Sequence, residues 1–116
     1  MGHWHDVRTD LKAPARDLRE HIPDVYKGFA QMHSAAMTER ALPLKVKELI
    51  ALAVAVTKQC DGCIASHGRG AASTGSTPEE VAETLGVAIM MYGGPGTTYP
   101  PSAWEANQEF SEAQRT

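Results

Sequence analysis

Apolar residues recur at three- and four-residue spacing along most of the chain, and alternating runs of β-branched residues are missing, so the pattern predicts an all-α fold. Residues 1–13 read as a loosely held arm that is flexible or crosses to another subunit, followed by a short helix near Ala15–His21. A longer helix is expected from about Pro23 to Met37, with Val25, Phe29, Met32 and Ala36 on one face as core candidates. Leu44–Thr57 is the most apolar segment. Beyond Lys45, Lys47 and Glu48 it is apolar all round, which predicts a central, buried helix. Cys60 to about Thr74 is rich in small residues and closes at Gly75, a favourable helix C-terminal residue. Thr77-Pro-Glu-Glu80 has the form of a capping box with proline at the first helical position, opening a helix to about Tyr92. Gly93-Gly94-Pro95-Gly96 reads as a turn, and Pro101–Gln114 as a last amphipathic helix through Ala103, Trp104, Ala106 and Phe110. Prolines 14, 23, 43, 78, 95, 100 and 101 should fall at helix starts or in connections.

Composition narrows the functional classes. A length of 116 residues suits one domain of about five or six helices, 1–116, and 42% hydrophobic with 22% charged residues describes a folded chain. Eleven Lys and Arg against fourteen Asp and Glu give a net charge of −3 with no basic run, which argues against nucleic acid or an anionic membrane surface as partner. The longest apolar run, Leu49–Val56, has eight residues, far short of the roughly 20 a membrane span requires. The start, Met1-Gly-His-Trp-His-Asp, lacks a secretory pattern, so the reducing cytoplasm is the expected compartment.

Two cysteines remain, Cys60 and Cys63, spaced C-x-x-C. Thiols three residues apart close no long loop, so they make a poor structural staple. With Cys60 at a helix start and about 100° per residue, Cys63 falls at about 300° and His67 at about 340°, one stripe roughly 60° wide. Unpaired amides and the dipole at a helix N-terminus favour thiolates there.

Glu48 immediately precedes the apolar run of the preceding helix. In one continuous helix it would lie roughly 18 Å from Cys60, at about 1.5 Å per residue. If the chain reverses at Thr57-Lys58-Gln59, Glu48 and His67 lie equally far from the turn and should meet. A carboxylate on one imidazole nitrogen fixes the tautomer and raises basicity, leaving the other nitrogen to take a thiol proton. Gly62, Gly68 and Gly70, with Ala65, Ala71 and Ala72, point to close packing of this central antiparallel hairpin.

Glu48, eleven residues, Cys60-Asp-Gly-Cys63, three residues and His67 resemble the core of the alkyl hydroperoxidase D-like, carboxymuconolactone decarboxylase family, over roughly Leu42 to Pro100 and including the Gly-Gly-Pro-Gly turn. The resemblance implies an all-helical fold, homo-oligomers (trimers or hexamers), and thiol peroxidase or disulfide reductase activity in members that hold both cysteines. Carried onto this chain, it makes Cys63 the peroxidatic thiol, Cys60 the resolving thiol, and Glu48 with His67 the proton relay. Studied peroxidases of the family hold a histidine just before the second cysteine, where this chain has Gly62, so one relay member is missing. Position at the helix terminus alone favours Cys60 as the more acidic thiol, whereas the resemblance assigns the nucleophile to Cys63. Helical i, i+3 residues have Cβ atoms about 5–6 Å apart, more than the 3.5–4.5 Å or so of a disulfide, so oxidation should involve local rearrangement and the bond should be readily reduced.

Other readings are weaker. Zinc would need a fourth ligand beyond Cys60, Cys63 and His67, supplied by His33, His21 or the His3-x-His5 arm. A thioredoxin-like domain would place its C-x-x-C after a strand. Tyr92 and Tyr99 are expected to pack, and Trp4 to belong to the arm. The expected function is a hydroperoxidase reduced by an external dithiol, with no cofactor and no metal. The alternatives are a general dithiol–disulfide oxidoreductase or a non-catalytic redox-sensing oligomer.

Overall fold

The computed structural model describes residues 2–115. Six α-helices, α1 (His3–His21), α2 (Pro23–Met37), α3 (Leu44–Thr57), α4 (Asp61–Ser73), α5 (Pro78–Tyr92) and α6 (Tyr99–Arg115), follow one another, with a 3-10 turn at Gly94–Thr97. Among the described residues there is no strand, and no helix is long and apolar enough to cross a membrane.

The central element is α4, which packs against α3, α6 and α1. Its small residues make this possible. Ala65, Gly68, Ala71 and Ala72 are buried, and a Cβ on Gly68 would sit 3.4 Å from the Ala106 Cβ and the Asn107 backbone of α6. Buried Asn107 donates to the Gly68 carbonyl at 3.2 Å, so the close approach leaves no polar group stranded. Leu52 and Val56 of α3, Ile64 of α4, Val81 of α5 and Phe110 of α6 fill the space between the helices. The box at the start of α5 is present in both directions, Glu80 N–H to Thr77 Oγ1 and Thr77 N–H to Glu80 Oε1. Lys45 of α3 reaches the same Glu80 at 2.9 Å.

Helices α3 and α4 end in the same way. After α3, Gln59 N–H bonds to Val56 O and Cys60 N–H to Ala55 O; after α4, Gly75 N–H bonds to Ala72 O and Ser76 N–H to Ala71 O. This Schellman closure needs a left-handed residue. Gly75 adopts φ +84° without a Cβ penalty, whereas Gln59 adopts φ +55° at a cost of roughly 1–2 kcal/mol.

Four expectations change. The arm expected over residues 1–13 is instead helix from His3 onward, α1, with Trp4 only 3% exposed, and Met1 lies outside the described residues. Its first amides are closed by a side chain from the far end of the chain, since Glu109 accepts from Trp4 N at 3.2 Å and His5 N at 2.7 Å, while Trp4 Nε1 donates to Glu105 at 2.9 Å. Pro14 lies inside this helix on an exposed stretch, where water can take the carbonyl bond it forgoes. Val25, Phe29 and Met32 are 65%, 60% and 62% exposed and Ala36 is exposed as well. No residue of α2 is buried, because the helix packs only lightly against α1 and α3. On α3, Leu49, Leu52, Ala55 and Val56 are buried but Ile50 and Val54 face outward, so that helix is covered on one side only.

Candidate redox site

The hairpin of α3 and α4 brings the candidate residues to one place. Glu48, buried on the first turns of α3, meets His67 of α4, with Oε2 and Nδ1 3.1 Å apart. The contact expected from the reversal near Lys58 is therefore present. What allows it is Gly70: a Cβ there would lie 1.7 Å from Glu48 Oε2, a distance no side chain tolerates. Of the three glycines expected to bring the hairpin together, only this one faces Glu48, since Gly62 lies against Leu11 of α1 and Gly68 against α6.

Cys60 and Cys63 form a disulfide. Cys60 is not inside α4 but is its N-cap residue, in extended conformation (φ −107°, ψ 100°), and its sulfur accepts from Cys63 N–H at 3.2 Å. Leaving the helix solves the spacing problem posed by i, i+3 geometry, and the Cα atoms stand 5.2 Å apart, inside the range that a disulfide bridges. Cys63 is exposed, Cys60 half-buried. One turn along, at i+4 from Cys63, His67 shares its face of α4, and among the described residues its Nε2 has no hydrogen-bond partner. The site can thus hold a sulfur at a helix N-terminus, a base one turn away, and a carboxylate that orients the base.

Two neighbours were not legible in the sequence. Gln59, the left-handed residue directly before Cys60, donates from Nε2 to Tyr92 Oη of α5, so Tyr92 ties down the peptide that sets Cys60. The absence of glycine at the end of α3 was the available signal. Tyr99, by contrast, packs against the core as expected. The second neighbour is His33, whose ring stacks on His67 with centroids 6.3 Å apart and planes at 19°. His3, His5 and His21 lie elsewhere: His5 joins Glu109, and His21 Nδ1 bonds the Asp17 carbonyl at 2.9 Å. Among the described residues no group of three or more His, Cys, Asp or Glu side chains is arranged to hold a metal ion.

Comparison with known proteins converges on one family. The model of the carboxymuconolactone decarboxylase family matches residues 23–105. An apo member of that family from Legionella pneumophila, solved by crystallography, superimposes with a TM-score of 0.89 and 41% identity, covering 93% of this chain and 96% of its own. An uncharacterized protein from Cupriavidus necator is 37% identical over 84% of this chain and 92% of its own length. A protein encoded in the cox locus of Paracoccus denitrificans, also uncharacterized, is 33% identical over 73% of this chain and 77% of its own.

Proposed function

The chain belongs to the carboxymuconolactone decarboxylase family, and from that premise we propose that it is a thiol-dependent hydroperoxidase whose Cys60–Cys63 pair is re-reduced by an external dithiol. The observation that carries this reading is the Glu48–His67 hydrogen bond one helical turn from Cys63. Glu48 holds His67 with Nε2 free, and Nε2 takes the Cys63 proton. The thiolate attacks a peroxide oxygen, the O–O bond breaks, and the alkoxide leaves as an alcohol with the proton returned from His67. Sulfur is oxidised by two electrons to the sulfenic acid and the peroxide is reduced. The Cys60 thiol then displaces hydroxide, which leaves as water with the Cys60 proton, and the disulfide forms.

Reduction runs the exchange backwards with a new partner. A donor thiolate attacks Cys63, the exposed sulfur, and Cys60 leaves as a thiolate that accepts the Cys63 N–H at the helix N-terminus. The donor's second thiol releases Cys63 and departs as a disulfide. Exposure of Cys63 also supports the second reading, a general dithiol–disulfide oxidoreductase, because a protein dithiol can reach it. A reducing cytoplasm would supply either donor.

The reading includes assembly into a homo-oligomer, a trimer or hexamer. Val25, Phe29 and Met32 on α2 and Ile50 and Val54 on α3 are exposed in the single chain, an apolar extent that calls for cover. Consumption of an alkyl hydroperoxide with a dithiol donor tests the function: wild type turns over and Cys63→Ser does not. Equal turnover by the serine variant would sink the peroxidase reading.

A further inference from the structure

Three rings run in a row from the surface of α2 into the site. Phe29 and His33 lie one turn apart with centroids 6.3 Å apart, and the His33 ring in turn stacks on His67. The end of α2 is fixed just beyond them. Lys47, next to Glu48 in the chain, donates from Nζ to the Ala36 carbonyl at 2.8 Å and the Thr38 carbonyl at 2.6 Å, closing the helix C-terminus with a cation. The residue that precedes the relay carboxylate therefore also anchors the helix that carries His33.

The two imidazoles differ in access. His33 is exposed, while the His67 and Glu48 side chains keep 19% and 12% of their surface. Nearly parallel rings with centroids 6.3 Å apart hold their nitrogens beyond the roughly 3.2 Å of a direct hydrogen bond, a gap of the size that a single water can bridge. His67 Nδ1 is already engaged by Glu48, so proton traffic with solvent uses the other side of the ring.

We propose that His33 is a relay residue that acts through His67, passing protons between solvent and the shielded imidazole. This rests on the hydroperoxidase reading above. In one cycle the peroxide takes two electrons and two protons to give alcohol and water, while the dithiol gives up two electrons and releases two protons to solvent. Reduction releases Cys63 as a thiolate, and the proton that restores its thiol, which His67 then takes and hands to the next alkoxide, enters from solvent by way of His33 and His67.

The test is hydroperoxide turnover with and without imidazole in the buffer. His33→Ala should turn over about tenfold more slowly, and imidazole, occupying the vacated space, should restore most of the loss. His33→Phe keeps a ring against His67 but carries no proton; it should be equally slow and gain nothing from imidazole. His21→Ala, which removes an imidazole held only by its own helix, should match wild type in both buffers. His33→Ala turnover within twofold of wild type, or a loss that imidazole leaves untouched, would overturn the proposal. If His33→Ala fails to fold, His33→Gln takes its place, and full turnover by that variant overturns it equally. Wild type without any hydroperoxide turnover defeats the underlying reading and this inference together; an active wild type with indifferent His33 variants removes His33 alone.

Discussion

Two histidine–glutamate pairs occur among the described residues, His67–Glu48 and His5–Glu109, each joining two helices and each with its imidazole 19% exposed. They have different surroundings. Glu109 is engaged through both oxygens, accepting from the Trp4 and His5 amides as well as pairing with the His5 ring, and it serves as the missing cap of α1, whose Gly2 offers no side chain. Burial pushes the Glu109 carboxyl up, but these hydrogen bonds together outweigh it and hold the group below the ordinary glutamate value of 4.5. Glu48 accepts from His67 alone among the described residues, and a glycine is spent to make room for it. Beside His67 lie Cys63 on the same helix face and the exposed ring of His33. A carboxylate on an imidazole is thus a clamp in one place and, in our reading, a relay in the other, and the neighbours decide which.

That contrast can be broken by one substitution in each pair. Glu48→Gln should slow hydroperoxide turnover by about a hundredfold, the lower range for loss of general acid–base help, with little change in melting temperature. Glu109→Gln should do the reverse, destabilising the fold by about 1 kcal/mol through the weakened cap with turnover unchanged. Both effects appearing in the same variant would erase the distinction. Gly70→Ala sharpens it further: the new methyl group displaces the Glu48 carboxylate, and turnover should fall about tenfold while the disulfide still forms with diamide. Wild-type turnover in this variant would show that Glu48 need not touch His67.

The smallest effect is in acid. The folded Glu109 carboxyl lies below its unfolded value, so the unfolded chain binds the proton first as pH falls. The stabilisation is complete above about 4.5 and is lost as pH drops through the folded value. Melting temperature followed downward from pH 6 should therefore fall less steeply in Glu109→Gln than in wild type. Glu80, lowered by its bond with Thr77 and by Lys45, titrates in the same direction in both proteins and leaves the difference intact. Parallel curves would remove Glu109 as the source.

Local signals carried much of this fold in the sequence. The α2 and α5 helices start at Pro23 and Pro78, α5 behind a capping box, and α4 closes at Gly75. The Glu48–His67 contact was legible because a hairpin imposes symmetry on residues equidistant from its turn. Other features depend on partners remote in sequence. Nothing near Trp4 announces that Glu109 will close its helix, so a regular α1 reads as an arm. The spacing of Val25, Phe29 and Met32 tells which face of α2 is apolar but not whether the same chain covers it. His33 over His67 and Tyr92 on Gln59 come from the way α2 and α5 settle around the hairpin, which no local pattern encodes.

In our reading Cys63 is the thiol that attacks the peroxide beside the His67–Glu48 relay. Mass spectrometry of reduced protein after one equivalent of alkyl hydroperoxide, with dimedone present, reads this directly. Wild type should give a Cys60–Cys63 disulfide, and Cys60→Ser a dimedone adduct on Cys63. An adduct on Cys60 in Cys63→Ser, with Cys63 unmodified in Cys60→Ser, would contradict that reading.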